Sequence, residues 1–185
     1  MADTSSEMLA LGTPMPDFRL PDTVSGRIVS SAECSGRVAV VSFVCNHCPF
    51  VKHIRSGLAA FGRWCTEHDV PLVAISSNDS QRYPADAPPA MQEEARIAGY
   101  AFPYVFDESQ DVARAFHAVC TPEFYVFDRD GTLAYRGQFD GSRPKNDVPV
   151  TGNDVRAAVV ALLEGQRPDA EQKPSIGCSI KWKVS

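Results

Sequence analysis

Two cysteines three positions apart are the residues of this chain whose chemistry is easiest to anticipate. Cys45 and Cys48 form the motif Cys-Asn-His-Cys, which follows an apolar strand-like run and opens a predicted helix. Their sulfurs should lie one helical turn apart, within reach of the Cα separation of ~4.4–6.8 Å that a disulfide requires. Unpaired N–H groups and the positive dipole end at a helix start favour thiolate over thiol. The motif therefore predicts thiol–disulfide exchange, with Cys45 as the attacking sulfur and Cys48 as the resolving one.

His47 lies between the two cysteines and could stabilise the Cys45 thiolate by charge or by a hydrogen bond. We expect the pKa of Cys45 to fall below its free value of ~8.5. Stabilising the reduced form would make the pair a better oxidant. Two inert thiols in a core are the alternative, but the junction of a strand and a helix favours a redox pair.

Two further cysteines could take part in redox chemistry. Cys120 lies two residues before Pro122 and should be near the rim of the site, as a core side chain or as an additional thiol. Cys178 belongs to the C-terminal motif PSIGC. It could resolve or store a disulfide, or it could be a packed anchor beside Trp182. Exposure decides which, and a structural role is slightly preferred.

Length and composition narrow the classes of function. The chain has 185 residues, of which 44% are hydrophobic, and a net charge of −5, which suits one globular domain without a nucleic-acid or membrane partner. Its N-terminal residues resemble no secretory signal, so a cytoplasmic location is expected. In a reducing cytosol, a close cysteine pair is redox-active or metal-binding more often than structural.

The apolar pattern predicts an α/β fold. Continuous apolar runs at 38–44 and 71–77 are typical of strands buried on both faces. Between them, apolar residues recur at helical spacing from Cys45 to about His68. Further elements are predicted as short strands at 16–22, 26–30 and 104–107, helices at 89–98, 111–117 and from Asn153 or Asp154 to Leu163, and a hairpin over 123–137.

These elements predict one domain over residues 14–164, with a mixed central sheet flanked by helices. Residues 1–13 are polar and aperiodic and are predicted to be a mobile tail. Residues 165–185 are predicted to wrap around the domain, anchored by Trp182, because so short a segment has little reason to carry an apolar side chain unless it docks.

Several motifs together resemble one known group. They are PMPDFRLPD, VAVVSFVCNHCPFVKH, AISSNDSQRYPAD, CTPEFYVFDRDGTLAYRGQFD and PSIGCSIKWK. The chain resembles the thioredoxin-fold proteins, specifically the peroxiredoxin-like AhpC/TSA-type group with a thioredoxin-style Cys-x-x-Cys, over roughly residues 14–183. The resemblance implies a thioredoxin-like fold with an N-terminal β-hairpin, and either disulfide oxidoreductase or peroxide-linked activity.

The peroxide-activating residues of that group are incomplete here. With Cys48 in the peroxidatic position, Cys45 replaces the expected Thr; with Cys45 in that position, Ser42 replaces it. Neither register keeps the proline of the pattern, and the position of the expected Arg aligns with Pro122. A thiol-dependent peroxidase is therefore the alternative to a disulfide oxidoreductase.

The resemblance also implies roles around Pro122. Thioredoxin-like proteins place a cis-proline opposite the cysteines, and the preceding residue, here Thr121, offers its backbone to an extended substrate. The buried Asp of thioredoxins is replaced by Ala39, so the base for Cys48 is unidentified. Glu123 and Asp79 are weak candidates that we interpret as solvated carboxylates.

A soft-metal or sensor site is a further alternative. Cys45, His47 and Cys48, joined by Cys120 or Cys178, could bind zinc or copper(I), although a convincing fourth ligand is missing. We expect no metal and no cofactor. The expected partners are protein or small-molecule disulfides and thiols, with an unidentified thiol reductant.

Overall fold

The computed structural model describes residues 3–184 as ten strands, four α-helices and two short 3-10 turns. The strands are β1 (Asp3–Ser5), β2 (Arg19–Pro21), β3 (Ile28–Ser30), β4 (Ala39–Phe43), β5 (Leu72–Ser76), β6 (Tyr104–Phe106), β7 (Cys120–Thr121), β8 (Glu123–Phe127), β9 (Leu133–Gly137) and β10 (Ile176–Ser179). The helices are α1 (Pro49–Glu67), α2 (Pro88–Ala98), α3 (Asp111–Ala115) and α4 (Asn153–Leu163), and the 3-10 turns are Ser31–Cys34 and Pro84–Asp86. Within residues 3–184, no helix is long and apolar enough to cross a bilayer.

The centre of the fold is a five-stranded mixed sheet with the order β6-β5-β4-β8-β9. β4 pairs in parallel with β5, and β5 with β6, whereas β8 runs antiparallel to both β4 and β9. Every residue of β4, β5 and β8 is buried, as the continuous apolar runs predict for strands covered on both faces. The predicted mixed α/β architecture is therefore confirmed.

Two apolar layers cover this sheet. One contains the buried faces of α1, α2 and α4, and it also holds the Cys45, Cys48 and Cys178 side chains. The other contains α3, the β2–β3 hairpin and Ile180, with Trp182 packed at its edge. The N-terminal hairpin implied by the resemblance is formed by the antiparallel pairing of β2 with β3.

The first helix begins later than the sequence predicts. Cys48 is its N-cap, with φ −68° and ψ 124°, and Pro49 is the first helical residue. A residue before proline is restricted to extended backbone, so the helix cannot include Cys48 or continue back to Cys45. The helix start therefore faces the second cysteine of the motif rather than the first.

From Asp3 onward, the N-terminal segment is not the mobile tail that its composition predicts, and the first two residues of that predicted tail lie outside the described residues. Asp3–Ser5 pairs antiparallel with β10, with Asp3 opposite Cys178, and Ser6 N–H donates to the Ser175 carbonyl at 2.9 Å. Further along, Gly12 N–H donates to the Leu133 carbonyl. The partner strand lies about 170 residues away in sequence, so no local pattern could reveal the pairing.

The C-terminal segment lies on the domain. β10 pairs with β1 on one side and with β7 on the other. Beyond it, Lys181 N–H donates to the Asn78 side chain at 2.8 Å, and Lys183 N–H donates to the Gln110 side chain. Trp182 is half-buried beneath the Arg114 guanidinium. The guanidinium carbon lies 4.7 Å from the centroid of the Trp182 ring. This is the docked arrangement that Trp182 predicts.

Candidate active site

Three of the six cysteines converge where β4, α1, β7 and β10 meet. All six are free thiols, and Cys45, Cys48 and Cys178 share one apolar cluster. Each of the Cys45 and Cys48 thiols shifts the pKa of the other. The Cys48 thiol also reaches the Thr121 carbonyl at 3.2 Å, and the Cys45 sulfur lies 3.4 Å from the Thr121 hydroxyl. The predicted pair thus faces Thr121.

Cys48 is the sulfur whose ionisation this environment favours, at the cost of the hydrogen bond that the Cys48 thiol donates to the Thr121 carbonyl. Its pKa is lowered to about 5, first by the hydrogen bond from the Cys45 thiol. Burial opposes this shift, while the Cys178 thiol and the backbone N–H groups of Val51 and Cys178 add to it. Val51 lies in the first turn of α1, so its N–H is one of the unpaired donors of the helix start. The helix therefore acts on Cys48.

The pKa of Cys45 is raised well above its ordinary value, which is opposite to the prediction. The hydrogen bond to Cys48 is the largest cause, followed by burial and by the negative charge of Asp86, with the Thr121 hydroxyl acting in the other direction. Cys45 lies outside the helix, beside a carboxylate. The shared proton of the pair is accordingly held on Cys45.

His47 is oriented by a buried carboxylate that the sequence does not reveal. Asp86 accepts hydrogen bonds from His47 Nδ1 at 2.5 Å, from the backbone N–H of Asn46 and His47 at 2.7 and 3.2 Å, and from the Asn78 amide at 2.8 Å. The imidazole also stacks on Tyr83, with ring centroids 5.3 Å apart. Its Nε2 is buried and has no hydrogen-bond partner among residues 3–184.

Cys45, His47 and Asp86 form a compact group of possible ligands or proton carriers. One donor atom from each lies within 4.8 Å of the other two. This is the group among the described residues that could hold a metal ion, and it substitutes Asp86 for the Cys48, Cys120 and Cys178 that the sequence proposes. A thiol beside an imidazole that is held by a carboxylate can transfer a proton to it when the two groups come within hydrogen-bond distance.

The Thr121–Pro122 peptide bond is cis, as predicted. The neighbouring backbone edge, however, is already occupied. Thr121 lies opposite Cys178 in the antiparallel pairing of β7 with β10. Gly177 passes so close that a Cβ there would lie 2.0 Å from the Thr121 carbonyl oxygen. The edge predicted to receive a substrate strand is thus filled by the chain's own C-terminal strand.

Glu123 and Asp79 are buried, so their interpretation as solvated carboxylates is wrong. Glu123 accepts a hydrogen bond from Val119 N–H at 3.2 Å and from the Cys120 thiol at 3.7 Å. Burial is the main cause that raises the pKa of Glu123 to about 7. Burial and the Glu123 charge also raise the pKa of Cys120, which makes Cys120 a poor nucleophile.

A cavity of about 390 Å³ adjoins Cys178. It lies between the start of α1, the loop after β9 and the C-terminal strand. Its lining residues are Asp3, Pro49, Phe50, Arg143, Pro144, Lys145, Ile176 and Cys178. Cys45 and Cys48 lie behind this surface, with exposed fractions of 1% and 0%. Cys178, which is itself buried with 4% exposed, is the one of these three cysteines that lines the cavity.

The sheet order, the two helical layers and the cysteine pair facing a cis-proline define a thioredoxin-like fold. Residues 11–136 match the AhpC/TSA family, and the chain belongs to that family. No functionally curated protein matches it.

Solved structures extend this assignment. An uncharacterized conserved protein from Geobacillus kaustophilus is 49% identical, with a TM-score of 0.97 over 100% of this chain and 98% of that one. A hypothetical protein from Sinorhizobium meliloti is 44% identical, with a TM-score of 0.95 over 98% and 100% of the two chains. A secreted disulfide oxidoreductase from Mycobacterium tuberculosis shares the fold at 20% identity, with a TM-score of 0.61 over 78% of this chain and 96% of that one. The family and the fold make this a thioredoxin-like protein of the oxidoreductase type.

Proposed function

We propose that this protein is a thiol–disulfide oxidoreductase that cycles between a Cys45/Cys48 dithiol and a Cys45–Cys48 disulfide. The observation that carries the proposal is the convergence of two free, buried thiols on one residue beside a cis-proline: the Cys48 thiol donates to the Thr121 carbonyl at 3.2 Å, and the Cys45 sulfur lies 3.4 Å from the Thr121 hydroxyl. The Cys45 thiol also lowers the pKa of Cys48, so the negative charge is favoured on Cys48. A dithiol that holds one proton and one negative charge at neutral pH is already prepared for exchange.

The charge distribution reverses the roles that spacing alone predicts. Once β10 has been displaced from the Thr121 edge, the Cys48 thiolate, which is 0% exposed in the closed structure, attacks one sulfur of a substrate disulfide, and the other substrate sulfur leaves as a thiolate. Cys45 then loses its proton and attacks the Cys48 sulfur, releasing the second substrate thiol. One substrate disulfide is reduced to two thiols as one protein disulfide forms, so two electrons pass to the substrate.

His47 is proposed to take the proton from Cys45. Its imidazole is held by Asp86 through Nδ1, which leaves Nε2 without a hydrogen-bond partner in the described part of the chain. The Cys45 sulfur and a ring nitrogen lie within 4.8 Å of each other. This arrangement of nucleophile, base and orienting carboxylate follows the general logic of activated thiols.

Thiol peroxidase is the second candidate, supported by membership of the AhpC/TSA family. Among residues 3–184, no arginine side chain donates a hydrogen bond at Cys45 or Cys48, and the hydroxyl beside Cys45 is that of Thr121 on β7. Ser42 is buried and its hydroxyl has no partner within residues 3–184. Arg143, at the cavity, is engaged by the Asp140 and Ser142 carbonyls and the Gln138 side chain. Slow peroxide reduction is therefore expected.

A metal site at Cys45, His47 and Asp86 is weaker still, because Asp86 already accepts four hydrogen bonds and three ligands leave the set incomplete. Metal analysis of protein purified under reducing conditions separates it from both redox functions. A stoichiometric metal would contradict the proposed exchange function.

The deciding experiment compares two substrates for the same protein. Reduction of a protein disulfide, with dithiothreitol as the reductant, is measured beside reduction of hydrogen peroxide. We expect disulfide reductase activity that falls to background in Cys45→Ser and Cys48→Ser and persists in the control Cys34→Ser. Rapid peroxide reduction without disulfide reductase activity would contradict the proposal.

A further inference from the structure

The strand that closes the active site carries a third thiol in contact with the pair. Cys178 lies opposite Thr121 in the pairing of β10 with β7. The Cys178 and Cys48 side chains belong to the same buried apolar cluster, and the Cys178 thiol and backbone N–H both lower the pKa of Cys48. The Thr121 carbonyl oxygen accepts a hydrogen bond from the Cys48 thiol. Cys48 is therefore flanked by Cys45 on one side and by Cys178 on the other.

Of these three cysteines, Cys178 is the one that lines the cavity beside the helix start, and it is itself only 4% exposed. Cys178 is among the residues lining it, together with Phe50 from α1 and Ile176 from β10. The volume of about 390 Å³ is in the range of small-molecule sites and too small for a folded protein. A reductant confined to this cavity could reach Cys178, whereas Cys45 and Cys48 are closed off behind it.

We propose that Cys178 is the third redox cysteine of this site, which takes the disulfide over from the buried pair and presents it to a low-molecular-weight thiol in the adjoining cavity. The inference rests on the proposed exchange function of Cys45 and Cys48. It adds a residue, a second disulfide and a class of reductant to that function.

Each step is an exchange in which one S–S bond forms as another breaks. The Cys178 thiol loses its proton and attacks the Cys48 sulfur of the Cys45–Cys48 disulfide, and Cys45 leaves as a thiolate and takes up a proton. A small thiolate then attacks Cys178 and releases Cys48 as a thiolate. A second small thiolate attacks the small-molecule sulfur of the resulting mixed disulfide, and Cys178 leaves as a thiolate and takes up a proton. Two small thiols become one small disulfide as the protein returns to its reduced state.

The charge on Cys48 controls when this transfer can begin. Burial raises the pKa of Cys178 to about 12, and the hydrogen bond and charge of Cys48 contribute to the rise. When Cys48 is bound in a disulfide, its negative charge is gone. The pKa of Cys178 is then raised only by burial and by the remaining neighbours. Cys178 is thus held as a thiol while the pair is reduced and becomes easier to deprotonate once the pair is oxidised.

The first test removes Cys45, so that Cys178 is the remaining cysteine of the site that can form a disulfide with Cys48. Cys45→Ser protein is incubated with oxidised glutathione, alkylated, digested and analysed by mass spectrometry. We expect most molecules to carry a Cys48–Cys178 disulfide, which disappears in Cys45→Ser/Cys178→Ser and persists in the matched control Cys45→Ser/Cys34→Ser. A stable mixed disulfide between Cys48 and glutathione would overturn the inference, because Cys178 would then have failed to resolve it.

The full chain provides an independent measurement. Cys178→Ser and Cys178→Ala should still form the Cys45–Cys48 disulfide, but reduced glutathione should reduce it severalfold more slowly than it reduces wild type or Cys34→Ser. Circular dichroism of each variant establishes that the fold is intact. If the Cys45–Cys48 disulfide forms and its reduction is unchanged in both variants, the relay is wrong and the exchange function stands. If no Cys45–Cys48 disulfide forms in wild type, both fall.

Discussion

Thr121 and Cys178 lie opposite each other in the antiparallel pairing of β7 and β10. The C-terminal strand of the chain therefore occupies the backbone edge at Thr121 where an extended substrate was expected to bind. The closure depends on Gly177, whose missing side chain lets β10 pass against the Thr121 carbonyl and Pro122. An extended protein substrate that binds by strand addition must first displace β10.

Replacing Gly177 by Val should open this edge. The new Cβ would lie 2.0 Å from the Thr121 oxygen, a backbone atom that cannot move aside, so β10 must shift. We expect faster alkylation of Cys48 and a severalfold higher rate of protein-disulfide reduction. The matched control Ser179→Ala alters an exposed residue of the same strand and should change neither. Unchanged reductase activity despite faster alkylation would show that strand addition is not the route of substrate binding.

The reduced pair should titrate near the value set by Cys48. We expect ultraviolet thiolate absorbance to appear with a midpoint of about 5, and to vanish in Cys48→Ser. Cys45→Ala should raise the midpoint more than Cys178→Ala, because the Cys45 thiol is the largest cause of the lowered pKa. A thiolate that survives in Cys48→Ser would place the charge on Cys45 and refute the reversed roles.

The same lowered pKa links the stability of the reduced protein to pH. A thiol whose folded pKa is about 5, against 9.0 unfolded, stabilises the fold fully above 9.0. That contribution shrinks as the pH falls toward 5. Denaturant unfolding of wild type and Cys48→Ala across this window should show the difference between them decreasing with acidification. A constant difference would contradict the prediction.

Glu123 should give the opposite pH dependence. Its pKa is raised from 4.5 to about 7, so the folded state keeps a proton that the unfolded state loses between these values. Stability contributed by the protonated group is present below pH 4.5 and is lost as the pH rises through about 7. Relative to wild type, Glu123→Gln should gain ~3 kcal/mol of unfolding free energy across this range. In the exposed control Glu108→Gln, the curve of unfolding free energy against pH should stay parallel to that of wild type. If the Glu123→Gln curve were also parallel, Glu123 would be ionised throughout this range.

The Asp86 carboxylate should be needed to hold the His47 imidazole and the backbone between the two cysteines in place. An amide at this position cannot accept all four hydrogen bonds that the carboxylate accepts. We expect Asp86→Asn to lower the free energy of unfolding by ~3 kcal/mol and to slow exchange, whereas the exposed Asp130→Asn has no effect. Wild-type stability and wild-type exchange rate in Asp86→Asn would remove the proposed role of the carboxylate in orienting His47.

Much of the fold could be predicted because its strands and helices carry strong local patterns. The apolar runs of β4 and β5 and the hairpin of β8 and β9 specify the sheet, and Gly99 ends α2 in the left-handed conformation, with φ 68°. The cysteine pair and the Thr121–Pro122 bond were also placed on elements that do converge.

The remaining features of the site depend on contacts between distant segments. Asp86 lies in a proline-rich loop whose local sequence does not indicate that it is buried against Asn46 and His47. The pairing of β1 with β10 joins the two ends of the chain. The lowered pKa of Cys48 comes first from the Cys45 thiol and then from the Cys178 thiol and the helix-start N–H of Val51, so it depends on how three segments meet. Local spacing could identify the cysteine pair, but it could not show which of the two sulfurs carries the negative charge.

The most direct test of the account is the redox equilibrium of the Cys45/Cys48 pair against glutathione. Wild-type protein is equilibrated in buffers of graded reduced and oxidised glutathione, quenched with acid and alkylated, and each cysteine is quantified by mass spectrometry. The account predicts one reversible two-electron transition in which Cys45 and Cys48 are oxidised together to an intramolecular disulfide. Cysteines that stay reduced across the series, or that oxidise irreversibly to sulfinic acid, would contradict a thiol–disulfide oxidoreductase.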